Sequence, residues 1–132
     1  MASILTHQRP VVVVDDDVAT LAYVNDVLHG SFPEMPILAT PSVRPSLDAL
    51  LETGPPVVIT GLDPRGLAGC GLLRRVERVA PEAHRILITD KRWQRGALQH
   101  FRLLAALRRP PDPDTLVDLV GGLVYGRAEV DA

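Results

Sequence analysis

With 132 residues, 46% hydrophobic and 23% charged, the chain is long enough for one domain with a real core and too short for two. Its 14 basic and 16 acidic residues leave a formal net charge of −2, which excludes a whole-chain attraction to nucleic acid or to an anionic membrane. The lone Cys70 excludes an internal disulfide, and His7, His29, His84 and His100 lack zinc-type spacing with one another or with that cysteine.

In chain order, Met1 to Pro10 lacks the apolar core of a signal peptide, and no later stretch approaches the roughly 20 apolar residues of a membrane span, so a cytoplasmic protein is expected. Val11 to Asp15 reads as a first strand: four valines delivering the acids Asp15, Asp16 and Asp17. Val18 to His29 follows as a helix, with Leu21, Val24, Val27 and Leu28 at helical spacing and Gly30 as its stop. Ile37 to Thr40 is a short second strand. Pro41-Ser42 then opens a helix carrying Leu47, Leu50 and Leu51, closed by Gly54 before Pro55-Pro56. Val57 to Thr60 is a third strand, which ends on Gly61 where the first ended on a carboxylate. A Gly- and Pro-rich loop leads into a helix through Leu72, Leu73 and Val76, ended by Pro81. Arg85 to Thr89 is a fourth strand, Trp93 to His100 a short helix, and Leu103 to Leu107 a fifth strand. Asp112 caps the last helix, Leu116 to Tyr125.

Five βα units with right-handed crossovers give an α/β fold, a doubly wound five-stranded parallel sheet with flanking helices. No linker, repeat or low-complexity tract divides the chain, so residues 1–132 are read as a single domain with its core over about 10–126. Open sheets of this kind place their ligand sites at the carboxyl edge, where Asp15, Gly61, Thr89 and Arg109 fall.

In their order and spacing these residues resemble the response-regulator receiver domains of two-component signalling, over Val11 to about Tyr125. Val14-Asp15-Asp16-Asp17 matches the acidic pair that ends the family's first strand and helps hold Mg²⁺. Gly69-Cys70-Gly71-Leu72-Leu73-Arg74-Arg75 looks like the family's glycine and third helix. Ile86-Leu87-Ile88-Thr89 matches the strand ending in Thr or Ser, and Arg109-Pro110 is similar to the lysine-proline turn. The resemblance implies the flavodoxin-like (βα)5 receiver fold. Counting back eight residues from Gly69 places Gly61 at the phosphorylated aspartate and Arg65 at the usual proline, and counting back three from Arg109 places Ala106 at the switching aromatic.

The resemblance therefore implies a degenerate receiver, one that belongs to phosphorelay signalling, lacks a catalytic residue and works by protein contact. Phosphoryl transfer to a receiver needs a carboxylate nucleophile, a metal and donors to the equatorial oxygens. Gly61 supplies no nucleophile. Asp63, two residues on, is displaced by up to roughly 7 Å if extended, while a misplacement of about 1 Å can cost about 100-fold in rate. Its alternative role is an exposed turn acid before Pro64. Asp15 and Asp16 form an acidic pocket that needs a cation, and Arg109 is the candidate, set near one or the other. Asp17 reads as the cap of the first helix. Thr89 is either the retained pocket hydroxyl or an ordinary strand residue, and Asp90 adds negative charge beside it. No cofactor is expected, with Mg²⁺ on Asp16 and Asp15 held weakly at most.

Trp93 lies in the basic run Lys91 to Arg95, either half-buried at the core edge or at a partner contact, with nucleic acid a distant third. On the last helix Leu116, Val117, Leu119, Val120, Leu123 and Val124 span an arc of about 160°, wider than a core stripe. Receivers often pair through this region. The expected partner is accordingly a signalling protein or a second copy of the chain, through Trp93, Val117 and Val124, with neither nucleic acid nor membrane. Two alternatives stand beside this reading: a phosphoaccepting receiver using Asp63 with Mg²⁺, and a small-ligand-binding α/β domain. The latter lacks a Gly-rich loop after the first strand.

Overall fold

The computed structural model describes residues 9–43 and 47–126. Among the described residues five strands, β1 (Val11–Val14), β2 (Ile37–Thr40), β3 (Val57–Thr60), β4 (His84–Thr89) and β5 (Ala105–Arg108), alternate with five helices. These are α1 (Val18–Ser31), α2 (Leu47–Leu51), α3 (Leu67–Val79), α4 (Arg95–His100) and α5 (Pro113–Tyr125). The strands form one parallel sheet in the order β2-β1-β3-β4-β5. The doubly wound five-stranded fold expected from the sequence is the fold observed.

Because both faces of the sheet are covered, the strands are apolar without alternation, yet alternate residues serve different cores. Val11, Val13, Val57, Ile59, Ile86 and Ile88 face α1 and α5, where they meet Val24, Leu28, Leu116 and Val120. Val12, Val14 and Val58 face α2 and α3 and meet Leu47, Leu51, Leu72 and Val76. Full burial of side chains of this size is worth about 1.5 to 3 kcal/mol each before chain entropy is set against it. Among the described residues no helix is long and apolar enough to cross a membrane.

Several expected boundaries move. Helix α1 passes through Gly30 to Ser31, because the Phe32 N–H closes the last turn on the Leu28 carbonyl, and Gly30 is an interior residue with open space beside it. Helix α2 runs from Leu47, and the expected start at Pro41-Ser42 is a bend instead, where the Thr40 hydroxyl donates to the Ser42 carbonyl (3.2 Å); residues 44–46 lie outside the described set. The end of α2 is as expected, with Gly54 at φ +72. Helix α3 begins at Leu67, a turn earlier than the apolar pattern indicates, since Leu67 is 95% exposed and carries no core signal. Helix α4 starts at Arg95 rather than Trp93, and β5 covers Ala105–Arg108 rather than Leu103 to Leu107. Arg102 takes a left-handed turn (φ 56) between them, leaving Leu103 bonded to the Leu98 carbonyl and buried.

Asp112 caps α5 as expected, its Oδ2 accepting from the Thr115 backbone N–H (2.9 Å) and hydroxyl (3.0 Å). The wide arc of α5 is largely used by the core: Leu116 and Val120 are buried, and Leu119, Leu123 and Val124 pack against the α1/α5 cluster. Val117 is half-buried.

Candidate functional site

The parallel ladder fixes which residues meet at the carboxyl edge. The Gly61 N–H bonds the Val14 carbonyl (2.8 Å) and the Arg109 N–H the Thr89 carbonyl (3.0 Å), so the ends of β1, β3, β4 and β5 converge on one small volume. The Arg109–Pro110 peptide is cis.

Arg109 occupies the middle. Its Nη1 donates to Asp15 Oδ2 (3.0 Å), Thr20 Oγ1 (2.8 Å) and Asp17 Oδ2 (3.3 Å), and its Nη2 to the carbonyls of Gly61 (3.2 Å) and Ile88 (3.4 Å). Its Nε lies 3.6 Å from Asp90 Oδ1. The planar fork of an arginine serves several acceptors at fixed angles, which the point charge of a lysine cannot do.

Asp15 is 1% exposed, and both its oxygens are engaged, Oδ1 by the Asp17 backbone N–H (2.9 Å) and Oδ2 by Arg109. Burial raises its pKa above the usual carboxylate value, against the opposing pull of the Asp17 N–H and of Arg109. Arg109 thus pairs with Asp15, and with the flanking Asp17, while Asp16 is exposed and lies outside this network. Asp17 sits at the N-cap position of α1, but its side chain makes no capping bond to the helix backbone. It accepts instead from the Thr20 hydroxyl at 2.7 Å, a bond that holds its pKa down.

The Gly61 position explains the arrangement. A Cβ built there would lie 2.0 Å from Asp15 Oδ2 and 2.2 Å from Asp15 Cγ, far inside contact distance. The carboxylate of β1 therefore fills the space over β3 in which a side chain at position 61 would begin. Gly69 is required for a separate reason: a Cβ there would lie 2.0 Å from the Asp63 carbonyl oxygen, so only glycine lets the β3–α3 loop close onto α3.

The other expected residues lie around this centre. Thr89 is half-buried, and its hydroxyl accepts from the Lys91 N–H (3.1 Å). Asp63 is exposed on the β3–α3 loop, where Oδ1 accepts from the Arg65 N–H (2.9 Å) and Oδ2 lies 3.9 Å from Lys91 Nζ. What remains of the pocket is a cleft of about 120 Å³ lined by Gly61, Asp63, Thr89, Asp90, Lys91 and Arg109 among others. Trp93 is half-buried against Phe101 (centroids 5.7 Å apart), with the Arg65 guanidinium 4.4 Å above its ring. Arg65 therefore ties the loops on the two sides of the cleft.

Thr20 is the residue that sequence reasoning missed. It is buried, four residues before Val24 and eight before Leu28 on the same helical face, so a polar side chain there breaks an otherwise apolar stripe. That break was the available signal.

The donor set does not fit Mg²⁺. Both Asp15 oxygens are satisfied, a guanidinium stands where a cation would go, and among the described residues no group of three or more His, Cys, Asp or Glu could hold a metal.

No family model matches the sequence, and no curated protein matches it significantly. Solved structures do. The chain is similar to a response-regulator receiver protein of Burkholderia phymatum, at 25% identity and TM-score 0.71 over 89% of this chain and 95% of that one. It is also similar to the signal receiver domain of a DNA-binding response regulator of Colwellia psychrerythraea 34H, at 18% identity and TM-score 0.73, covering 89% and 98%. The receiver domain of AraT, a response regulator of Geobacillus stearothermophilus, gives 18% identity and TM-score 0.73, covering 95% and 99%. The chain has the fold of a response-regulator receiver domain.

Proposed function

We propose that the chain is a pseudo-receiver: a module of phosphorelay signalling that accepts no phosphoryl group, is not an enzyme, and works through contact with a protein partner or a second copy of itself. The observation that carries this reading is the occupation of the acceptor position, where the Asp15 carboxylate, held by Arg109, fills the space a side chain at position 61 would need. Ala106, in place of the family's switching aromatic, supports it from another direction. No cofactor is proposed, and a cytoplasmic location fits the reading. Trp93, Val117 and Val124 are the proposed partner contacts, and of these Val124 also packs against the core.

The alternative of phosphoacceptance at Asp63 is disfavoured because that carboxylate lies on an exposed loop and is bonded to the Arg65 N–H. Incubation with acetyl phosphate and Mg²⁺ followed by intact mass analysis is expected to give no phosphoryl adduct. A stoichiometric adduct, lost in Asp63→Asn, would overturn the proposal in favour of that alternative.

A further inference from the structure

Away from the acceptor pocket, a groove of about 350 Å³ opens between α3 and the end of α4, lined by Cys70, Leu73, Arg74 and Glu77 on one side and Arg85, His100, Phe101 and Arg102 on the other. Its charge runs against that of the chain: three arginines face one glutamate in the groove, whereas the whole chain carries −2. At its base is Arg85, a β4 residue only 6% exposed. A guanidinium is rarely buried unless its donors are met. Here Nη1 pairs with Glu77 Oε1 (3.1 Å) and Nη2 donates to the Pro81 carbonyl (2.9 Å), but the buried Nε has no acceptor among the described residues. Glu77 also takes Arg102 Nη1 at 2.7 Å, so one carboxylate serves two guanidinium groups and leaves the groove with excess donors. Arg102 is held there by a left-handed backbone conformation (φ 56) that an arginine seldom adopts.

We propose that this groove is a binding site for a small organic anion, a phosphate or carboxylate group carried on a flat apolar body. The anionic head lies among Arg74, Arg85 and Arg102, where a pair of carboxylate or phosphate oxygens can be received by paired N–H donors, and the body lies against Leu73 and Phe101. The Glu77 carboxylate, half-exposed and already bridging Arg85 and Arg102, occupies part of the place the ligand head would take. Glu77 is therefore a built-in competitor, and ligand entry displaces it toward solvent. The site is separate from the pocket around Arg109 and does not depend on whether that pocket can be phosphorylated.

The test uses phenyl phosphate, the smallest probe that joins the two features, with phenol as the same body without the charge. Titrated into the isotopically labelled full chain, phenyl phosphate is expected to give saturable shifts at the amides of Leu73, Phe101 and Arg102, and phenol to bind at least about tenfold more weakly. Arg102→Gln, at an exposed position, should weaken phenyl phosphate about tenfold, and Arg85→Met, which keeps the buried length without the charge, should do the same. Glu77→Gln should strengthen it. Absence of saturable shifts at these amides, equal binding of phenol, or affinity unchanged in both arginine variants would each overturn the proposal.

Discussion

Arg109→Ala is expected to destabilise the protein by about 3 kcal/mol, the lower end of the roughly 3 to 5 kcal/mol found when one member of a buried ion pair is removed and the other is left behind. The reason lies less in the bonds lost than in Asp15, which would remain buried with its Oδ1 bonded to the Asp17 N–H and its Oδ2 without a donor among those described. The cost should depend on pH with a definite sign. Burial already raises the Asp15 pKa, and loss of Arg109 removes two influences that oppose the rise, so the folded-state pKa climbs further in the variant. A carboxyl whose folded pKa exceeds its unfolded value contributes stability that is present below the unfolded pKa and is lost as pH rises through the folded one. The deficit of Arg109→Ala relative to the native protein should therefore grow between about pH 4 and about pH 7. Asp17 does not reverse this trend. Its pKa is held below the ordinary value of 3.8, so its contribution is lost only on further acidification. Asp15→Asn in the same background should recover much of the loss, measured by urea denaturation as a double-mutant cycle. An equal deficit at both pH values would mean that Asp15 is not the charge Arg109 neutralises.

Gly61→Ala is the second large effect expected, about 2 kcal/mol, from crowding rather than from backbone conformation. The added Cβ would fall 2.0 Å from Asp15 Oδ2, and Asp15 cannot easily turn aside while the Asp17 N–H and Arg109 hold its two oxygens. Combining Gly61→Ala with Asp15→Ala should remove the collision, so the pair should be less destabilised than the sum of the two single changes. Strict additivity in the denaturation midpoints would show that the two positions do not share the space.

The reach of the sequence follows from these contacts. β1, β3 and β4 were legible because strands buried on both faces read as continuous apolar runs. Elements at the edge of the core were less so. α3 opens with exposed Leu67, and β5 starts late because Arg102 turns the chain and sends Leu103 under α4. In the pocket, Gly61 and Arg109 could be placed through the resemblance to receiver domains, by their spacing from Gly69 and Pro110. Which acid turns inward could not, because Asp15 and Asp16 are chemically identical and only the ladder bond from the Asp15 N–H to Thr40 assigns their directions. Thr20 escaped notice since its role depends on α1 lying within reach of a residue 89 positions away.

In the proposed pseudo-receiver an internal ion pair stands where a receiver holds metal and acceptor. Magnesium titration of the native chain beside Gly61→Asp/Arg109→Lys tests it most directly, with circular dichroism confirming that both are folded. Shortening the fork to an ammonium releases Asp15 to make room for the new carboxylate, which rejoins Asp15 and Asp16 at the sheet edge. Saturable Mg²⁺ binding in the double variant and none in the native chain is the result expected. Equal binding by the two folded proteins would contradict the placement of Gly61 and Arg109 in a filled acceptor pocket.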